Sequence, residues 1–131
     1  MRQRCSPQGR VRDASELSRS IDTYRSYIAG SRGELSVAKN AYVATRSGWF
    51  STRSAAYLAC GKPVVVQETG FSAHVPTGAG LRAFSTADEA VTALAAIRAD
   101  YARACAHARD TAEAYFAGDR ICARLLADAG L

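Results

Sequence analysis

Residues 47–71 decide the fold of this chain and read SGWFSTRSAAYLACGKPVVVQETGF. Small residues dominate 51–60 and predict a short helix, which ends at Gly61 because glycine readily closes a helix. The valine-rich stretch 64–67 predicts a buried strand, and a polar, glycine-containing loop follows it at 68–70. Helix, turn, apolar strand and loop in this order form half of a βαβ unit, in which ligands bind outside the carboxyl ends of the strands.

The flanking segments continue this alternation of strands and helices. Short apolar runs predict further strands at 34–38 and 81–84, with a loop of partly extended character at 39–47. Apolar residues at helical spacing predict helices over 15–31, 86–100, 101–117 and 120–129. The pattern predicts an α/β fold: a partial Rossmann-like, three-layer parallel sheet of about three strands with C-terminal helices. A sheet this small leaves open edges, which strands from elsewhere are expected to cover.

Two local patterns mark helix ends in the second half of the chain. Ser85, with Asp88 three residues later, predicts a capping box for the helix over 86–100. Gly118 and Asp119 predict an interruption between the last two helices.

Length and charge bound the classes of protein that this chain can be. A chain of 131 residues with 48% hydrophobic and 22% charged residues is typical of one globular domain, or part of one. We expect a flexible N-terminal segment at 1–13 and the folded domain at 14–131. Residues 1–53 carry ten basic and four acidic side chains, whereas 54–131 carry seven and eight. That basic half can meet phosphates or form a solvated face, but it lacks the sequence signals of nucleic-acid-binding modules.

Cysteine spacing and hydropathy give expectations about location. The four cysteines, Cys5, Cys60, Cys105 and Cys122, lie far apart without metal-ligand spacing, so we expect reduced thiols, no metal site and a cytoplasmic protein. No apolar run approaches the roughly 18 residues of a membrane span, so no membrane-spanning segment is expected.

The turn into the helix over 51–60 is the strongest candidate for a binding site. Backbone N–H groups at a helix N-terminus attract phosphate, helped by the helix dipole. This end carries Ser51, Thr52 and Arg53, and Gly48 before them lets the backbone approach a ligand closely. Arg53 can clamp two phosphate oxygens. The alternative is that Ser51 only caps the helix and Arg53 is solvated.

The loops that follow the predicted strands hold further candidates. Lys39 and Arg46 flank the loop after the strand over 34–38, and either could contact a phosphate or be an ordinary surface residue. Glu68 directly follows a strand and could bind a ribose or sugar hydroxyl. Thr69 and Gly70 in the same loop could present backbone N–H groups to a ligand.

Residues 31–131 resemble the C-terminal, donor-binding part of GT-B-fold group 1 glycosyltransferases. The resemblance rests on SRGELSVAK at 31–39, GWFSTRSAAYLACGKPVVV at 48–66 and QETGF at 67–71. It implies two Rossmann-like domains facing across a cleft, with a nucleotide-sugar as donor substrate and no separate cofactor. It also implies a set of residues that face the donor or lie close to it: Gly48, Trp49, Phe50, Ser51, Arg53, Thr69 and Gly70. From the residues alone, Trp49 and Phe50 could stack on a base or pack beneath the sheet.

Two departures from that family shape the functional expectation. The pair of acidic residues that many members carry would fall near Gly48 and Ala56, and neither position is acidic. The sequence also lacks an acceptor domain and the first strands of the donor domain. We therefore expect a glycosyltransferase-like, nucleotide-sugar-binding domain fragment with no assigned catalytic residue. It would be inactive in transfer without an N-terminal partner domain. The alternatives are a stand-alone module for a nucleotide or phosphorylated ligand and an interaction protein that self-associates through its open sheet edge.

Overall fold

The computed structural model describes residues 12–130, so nearly all of the predicted flexible segment 1–13 lies outside the described residues. Three strands form the sheet: β1 (Glu34–Ser36), β2 (Val64–Gln67) and β3 (Leu81–Phe84). Seven helices are present in the described part: α1 (Ala14–Leu17), α2 (Ile21–Gly30), α3 (Asn40–Ala44), α4 (Thr52–Ala59), α5 (Ala87–Ala99), α6 (Tyr101–Tyr115) and α7 (Gly118–Asp128). A single 3-10 turn follows β2 at Phe71–Ala73.

The sheet is parallel, with strand order β1-β2-β3. Side chains alternate between the two faces of a strand, and the apolar clusters follow that alternation. Val66 belongs to the cluster that contains Leu58 of α4 and Ala112 of α6. Val65 belongs to the cluster that contains Ile97 of α5. Helices therefore cover both faces of the sheet, which confirms the predicted three-layer, partial Rossmann-like α/β fold.

Helix α6 packs closely against the start of β3 because the inner face of the helix consists of small residues. Ala104, Ala108 and Ala112, spaced by four, are all buried. At Gly80, just before β3, an added Cβ would overlap the backbone of Ala104 and Ala108. Glycine at this position and alanines on the helix therefore bring α6 into van der Waals contact with the start of β3.

Two predicted elements of the N-terminal third differ from the structure. The helix predicted over 15–31 is two helices, because Ser20 interrupts it and caps α2 by accepting a hydrogen bond from the Thr23 N–H. The predicted loop over 39–47 contains α3. A ladder of three residues, 34–36, replaces the five predicted for the first strand.

The helix ends in the second half also differ from the prediction. Thr86, rather than Ser85, is the N-cap of α5, and its hydroxyl and Glu89 form the reciprocal capping box. The side chain of Glu89 is one methylene longer than that of Asp88, and its carboxylate accepts the backbone N–H of Ser85 at 2.6 Å. The last helix includes Gly118, where an interruption was predicted.

Two features of residues 12–130 bear on the class of protein. Their helices include none with the length and apolarity required to traverse a bilayer. In the same part of the chain, no cluster of three or more His, Cys, Asp or Glu side chains is arranged to hold a metal ion. Cys60, Cys105 and Cys122 are free thiols.

Candidate functional site

Two loops at the carboxyl edge of the sheet are tied into one unit. The connection after β1 passes through α3 and then leads to α4, and the loop after β2 begins at Glu68. The backbone N–H of Gly48 donates to the Thr69 carbonyl at 2.8 Å, and the Thr69 hydroxyl donates back to the Trp49 carbonyl at 2.7 Å. Thr69 is fully buried. The start of α4 is therefore held in a fixed position beside the end of β2.

The backbone of this unit requires glycine at two positions. Gly70 has φ of +94°, and a Cβ there would lie 2.9 Å from the Arg46 carbonyl oxygen. Gly48 has φ of +76°, in the left-handed region that side chains disfavour. The Glu68 carboxylate accepts the Gly70 N–H at 2.5 Å. Both groups, which were predicted to meet a ligand, are engaged with their own loop in this structure.

The N-terminus of α4 is capped in the ordinary way. Ser51 is buried, and its hydroxyl accepts the Arg53 N–H at 3.2 Å, as the capping alternative predicted. Thr52, the first helical residue, is exposed. Lys39 lies exposed at the start of α3, on the same edge of the sheet. The exposed polar residues at this edge therefore include Thr52 and two cations, Lys39 and Arg46.

Arg53 points away from that edge. Its Nε donates to the Glu34 carboxylate and its Nη2 to the Ser36 hydroxyl at 3.3 Å. Glu34 is the first residue of β1, so the arginine side chain runs back along the strand towards its amino end. The Glu34 carboxylate is only 6% exposed, and its hydrogen bond raises the pKa of Arg53. Only Nη1 of Arg53 has no acceptor among residues 12–130.

The two aromatic residues before α4 pack against the protein. Trp49 stacks on Tyr42 of α3, with ring centroids 5.0 Å apart and planes 11° apart. Phe50 lies between Phe71 and Phe116, with centroids 5.2 Å away in each case. Phe50 therefore packs against the apolar cluster under β2, as the packing alternative predicted, whereas Trp49 packs on α3.

The structure brings most of the predicted residues to one edge of the sheet. We call this group the carboxyl-edge site, and it comprises Lys39, Gly48, Ser51, Thr52, Glu68, Thr69 and Gly70. The Arg53 guanidinium and the ring of Phe50 are engaged elsewhere. A cavity of about 810 Å³ beside β3 is lined by Arg82, Asp88, Arg103 and their neighbours, and contains no residue of this site.

Sequence reasoning missed two residues that shape this edge. The side chain of Gln67 accepts the Ala38 N–H at 3.1 Å and extends the link between β1 and β2 beyond the ladder. Tyr42 supports Trp49. Arg46, which the sequence did single out as a possible phosphate contact, is exposed and adopts a φ of +49° where the two loops meet. Only Gln67 left a signal in the sequence, as a polar residue closing a run of valines.

Comparison of the chain with models of known protein families, with curated proteins and with solved structures gave no match. Function is therefore proposed from the residues and geometry described above.

Proposed function

We propose that this chain is a glycosyltransferase-like, nucleotide-sugar-binding domain of GT-B type, with the carboxyl-edge site holding the diphosphate of the donor. One observation carries the proposal. The loop before α4 and the loop after β2 are joined through Gly48, Trp49 and Thr69, and this places the N-terminus of α4 at the carboxyl edge of a parallel sheet. Ligands of α/β sheets bind at this edge.

The chemistry of the site suits a phosphate group. Ser51 satisfies the N–H of Arg53, which leaves the N–H groups of Thr52 and Ser54 in the first turn without intrahelical acceptors. These groups and the helix dipole favour an anion. Lys39 adds a positive charge on the same edge, and its exposed side chain is accessible to a ligand.

Sugar transfer would require a second component. Group transfer needs donor and acceptor held together in a closed cleft, and the carboxyl-edge site supplies one wall of such a cleft. The proposal therefore includes an acceptor-binding partner domain and assigns no catalytic residue to this chain. It also includes a cytoplasmic location, which the free thiols of Cys60, Cys105 and Cys122 support.

A titration with UDP, GDP and ADP, followed by thermal unfolding, tests the binding proposal. We expect one nucleotide to raise the midpoint in a concentration-dependent manner. The only two lysines provide a matched pair of variants, because Lys39 lies at the carboxyl edge of the sheet and Lys62 precedes β2 at the amino edge. Lys39→Ala should weaken binding by about five-fold, the effect of about 1 kcal/mol, and Lys62→Ala should leave it unchanged. A folded protein that ignores all three nucleotides, or equal losses in both variants, would contradict the proposal.

The open edge of β1 favours a second candidate function, an interaction protein that self-associates. The Glu34 N–H donates to the Pro63 carbonyl at 3.1 Å and the Ala38 N–H to Gln67, so even-numbered residues face β2. The backbone groups of Leu35 and Val37 consequently face away from the sheet, and their side chains are 50% and 70% exposed. Such an edge can pair with another strand.

Sedimentation velocity across a concentration series tests this second function. Self-association should appear as a concentration-dependent dimer that Val37→Lys removes, because an edge lysine opposes strand pairing. A monomer at every concentration would exclude it.

A further inference from the structure

A cavity of about 540 Å³ lies between α1, α2 and α4, on the face of the sheet that α4 covers. Its volume is in the range of small-ligand pockets. Its lining combines aromatic rings with cations: Arg12, Ala14, Leu17, Ser18, Tyr24, Tyr27, Arg53 and Tyr57. We call it the tyrosine cavity. The carboxyl-edge site contributes none of these residues.

The two cations of the tyrosine cavity differ in how firmly they are held. Arg53 is anchored through Nε to Glu34 and through Nη2 to Ser36, so its guanidinium is already ordered and Nη1 remains for a further acceptor. Glu34 does not line the cavity. Arg12 is exposed and lies just before α1. Glu34 already compensates the charge of Arg53, so the net positive charge of the lining comes from Arg12, and Arg53 adds an ordered N–H donor. This combination favours an anion.

Three phenol rings supply the other half of the lining. Tyr24 and Tyr27 are one helical turn apart on α2, and Tyr57 faces them from α4. Tyr57 is buried and Tyr27 is 36% exposed, so the cavity is enclosed near Tyr57 and open to solvent near Tyr27. Tyrosine rings offer flat apolar faces for stacking together with hydroxyl groups for hydrogen bonding. The Tyr57 hydroxyl is neutral and can donate at physiological pH, as in any tyrosine, and burial raises its pKa further.

We propose that the tyrosine cavity is a binding site for a small aryl phosphate, in which the phosphate is bonded directly to an aromatic ring, with the ring against the tyrosines and the phosphate between Arg12 and Arg53. Neither feature alone defines this class. Rings alone would accept any apolar compound, and arginines alone would accept any anion. The site is separate from the proposed nucleotide site and does not depend on it.

Isothermal titration calorimetry with phenyl phosphate, phenol and inorganic phosphate tests the contributions of the aromatic ring and of the phosphate separately. We expect phenyl phosphate to bind at least ten-fold more tightly than either phenol or inorganic phosphate, because only phenyl phosphate uses both the rings and the arginines. Amide chemical shifts should change in α1, α2 and the first half of α4. Phenyl phosphate binding no better than inorganic phosphate, or shift changes spread over the whole surface, would overturn the proposal.

Matched variants test the residues. Arg12→Gln should weaken phenyl phosphate about ten-fold without affecting phenol, whereas Arg19→Gln, an exposed arginine outside the lining, should affect neither. Tyr27→Phe keeps the ring and should retain most of the binding, and Tyr27→Ala should lose it. Equal effects of Arg12→Gln and Arg19→Gln, or of the two Tyr27 variants, would refute the assignment.

The same variants distinguish this site from the nucleotide site. Lys39→Ala should leave phenyl phosphate binding unchanged, and Arg12→Gln should leave nucleotide binding unchanged. If phenyl phosphate binding is instead lost in Lys39→Ala and kept in Arg12→Gln, the ligand occupies the carboxyl-edge site and the tyrosine cavity proposal fails.

Discussion

Replacing Arg53 with alanine is expected to lower the free energy of unfolding by about 2 kcal/mol. Removal of one partner from a fully buried ion pair costs about 3–5 kcal/mol, because the other charge is left without a counter-charge. Here the Glu34 carboxylate is 6% exposed but the Arg53 side chain is 52% exposed. Water therefore already screens part of the interaction. The expected loss in the free energy of unfolding falls to the cost of leaving one charged group without its hydrogen-bond partner, about 1.5–3 kcal/mol.

Urea unfolding at pH 7, followed by circular dichroism, measures this loss. The matched variants are Glu34→Gln and the double variant with Arg53→Ala. Without the stranded carboxylate, the double variant should lose about 1 kcal/mol less than the sum of the single losses. Additive losses, or a cost below about 0.5 kcal/mol for Arg53→Ala, would show that the two side chains do not stabilise each other and refute the reasoning.

The pH dependence of this pair has a definite sign. Glu34 raises the pKa of Arg53 above its ordinary value. The folded state therefore holds the arginine proton more tightly than the unfolded chain does, and the contribution of Arg53 is fully present below the pKa of arginine in the unfolded chain and is lost only above it. Titration of Arg53 should thus cause no change in stability between pH 6 and 9.

Loss of nucleotide binding in Arg53→Ala would be ambiguous, because that variant also loses stability. Lys39→Ala is consequently the cleaner test.

Three further predictions concern backbone strain, capping and alkaline pH. Gly70→Ala should cost about 2 kcal/mol in urea unfolding, because a Cβ there meets a backbone carbonyl at positive φ, whereas Gly30→Ala, with open space around it, should be neutral or stabilising by up to about 1 kcal/mol. Thr86→Ala should lower the thermal stability by about 1 kcal/mol and Ser85→Ala by less than about 0.5 kcal/mol, and the reverse order would restore Ser85 as the cap. Burial raises the pKa of Tyr57 above 10.0, so stability should fall as pH rises past 10; Tyr57→Phe should lessen that fall between pH 8 and pH 11, and an unchanged fall would contradict it.

Local patterns were sufficient to predict the central elements. The helix observed at 52–59 and the strand at 64–67 lie within a residue or two of the predicted bounds. The reasons are physical and close in sequence: Gly61 has φ of +67°, which few other residues adopt, and three consecutive valines suit a strand buried on both faces. The parallel arrangement followed from the alternation of strands with helices.

Features that depend on distant contacts could not be read from the sequence. Helix α3 has only five residues, too few to display a period, and Tyr42 within it is supported by stacking on Trp49. The partner of Arg53 is 19 residues away in sequence. A guanidinium near a helix N-terminus is equally compatible with a ligand phosphate and a carboxylate on the neighbouring strand. In the structure the partner is the carboxylate of Glu34 on β1, which is buried and needs a counter-charge.

The alanine face of α6 has a consequence for how the chain folds during synthesis. The apolar cluster under β2 includes Ile28 from near one end of the chain and Ala108 and Ala112 from near the other. Domains generally fold as units as the ribosome releases them. The face of the sheet that α4 covers therefore stays only partly covered until the residues of α6 have left the ribosome. The three strands can pair early, but their packing on this face is completed only when α6 has been synthesised.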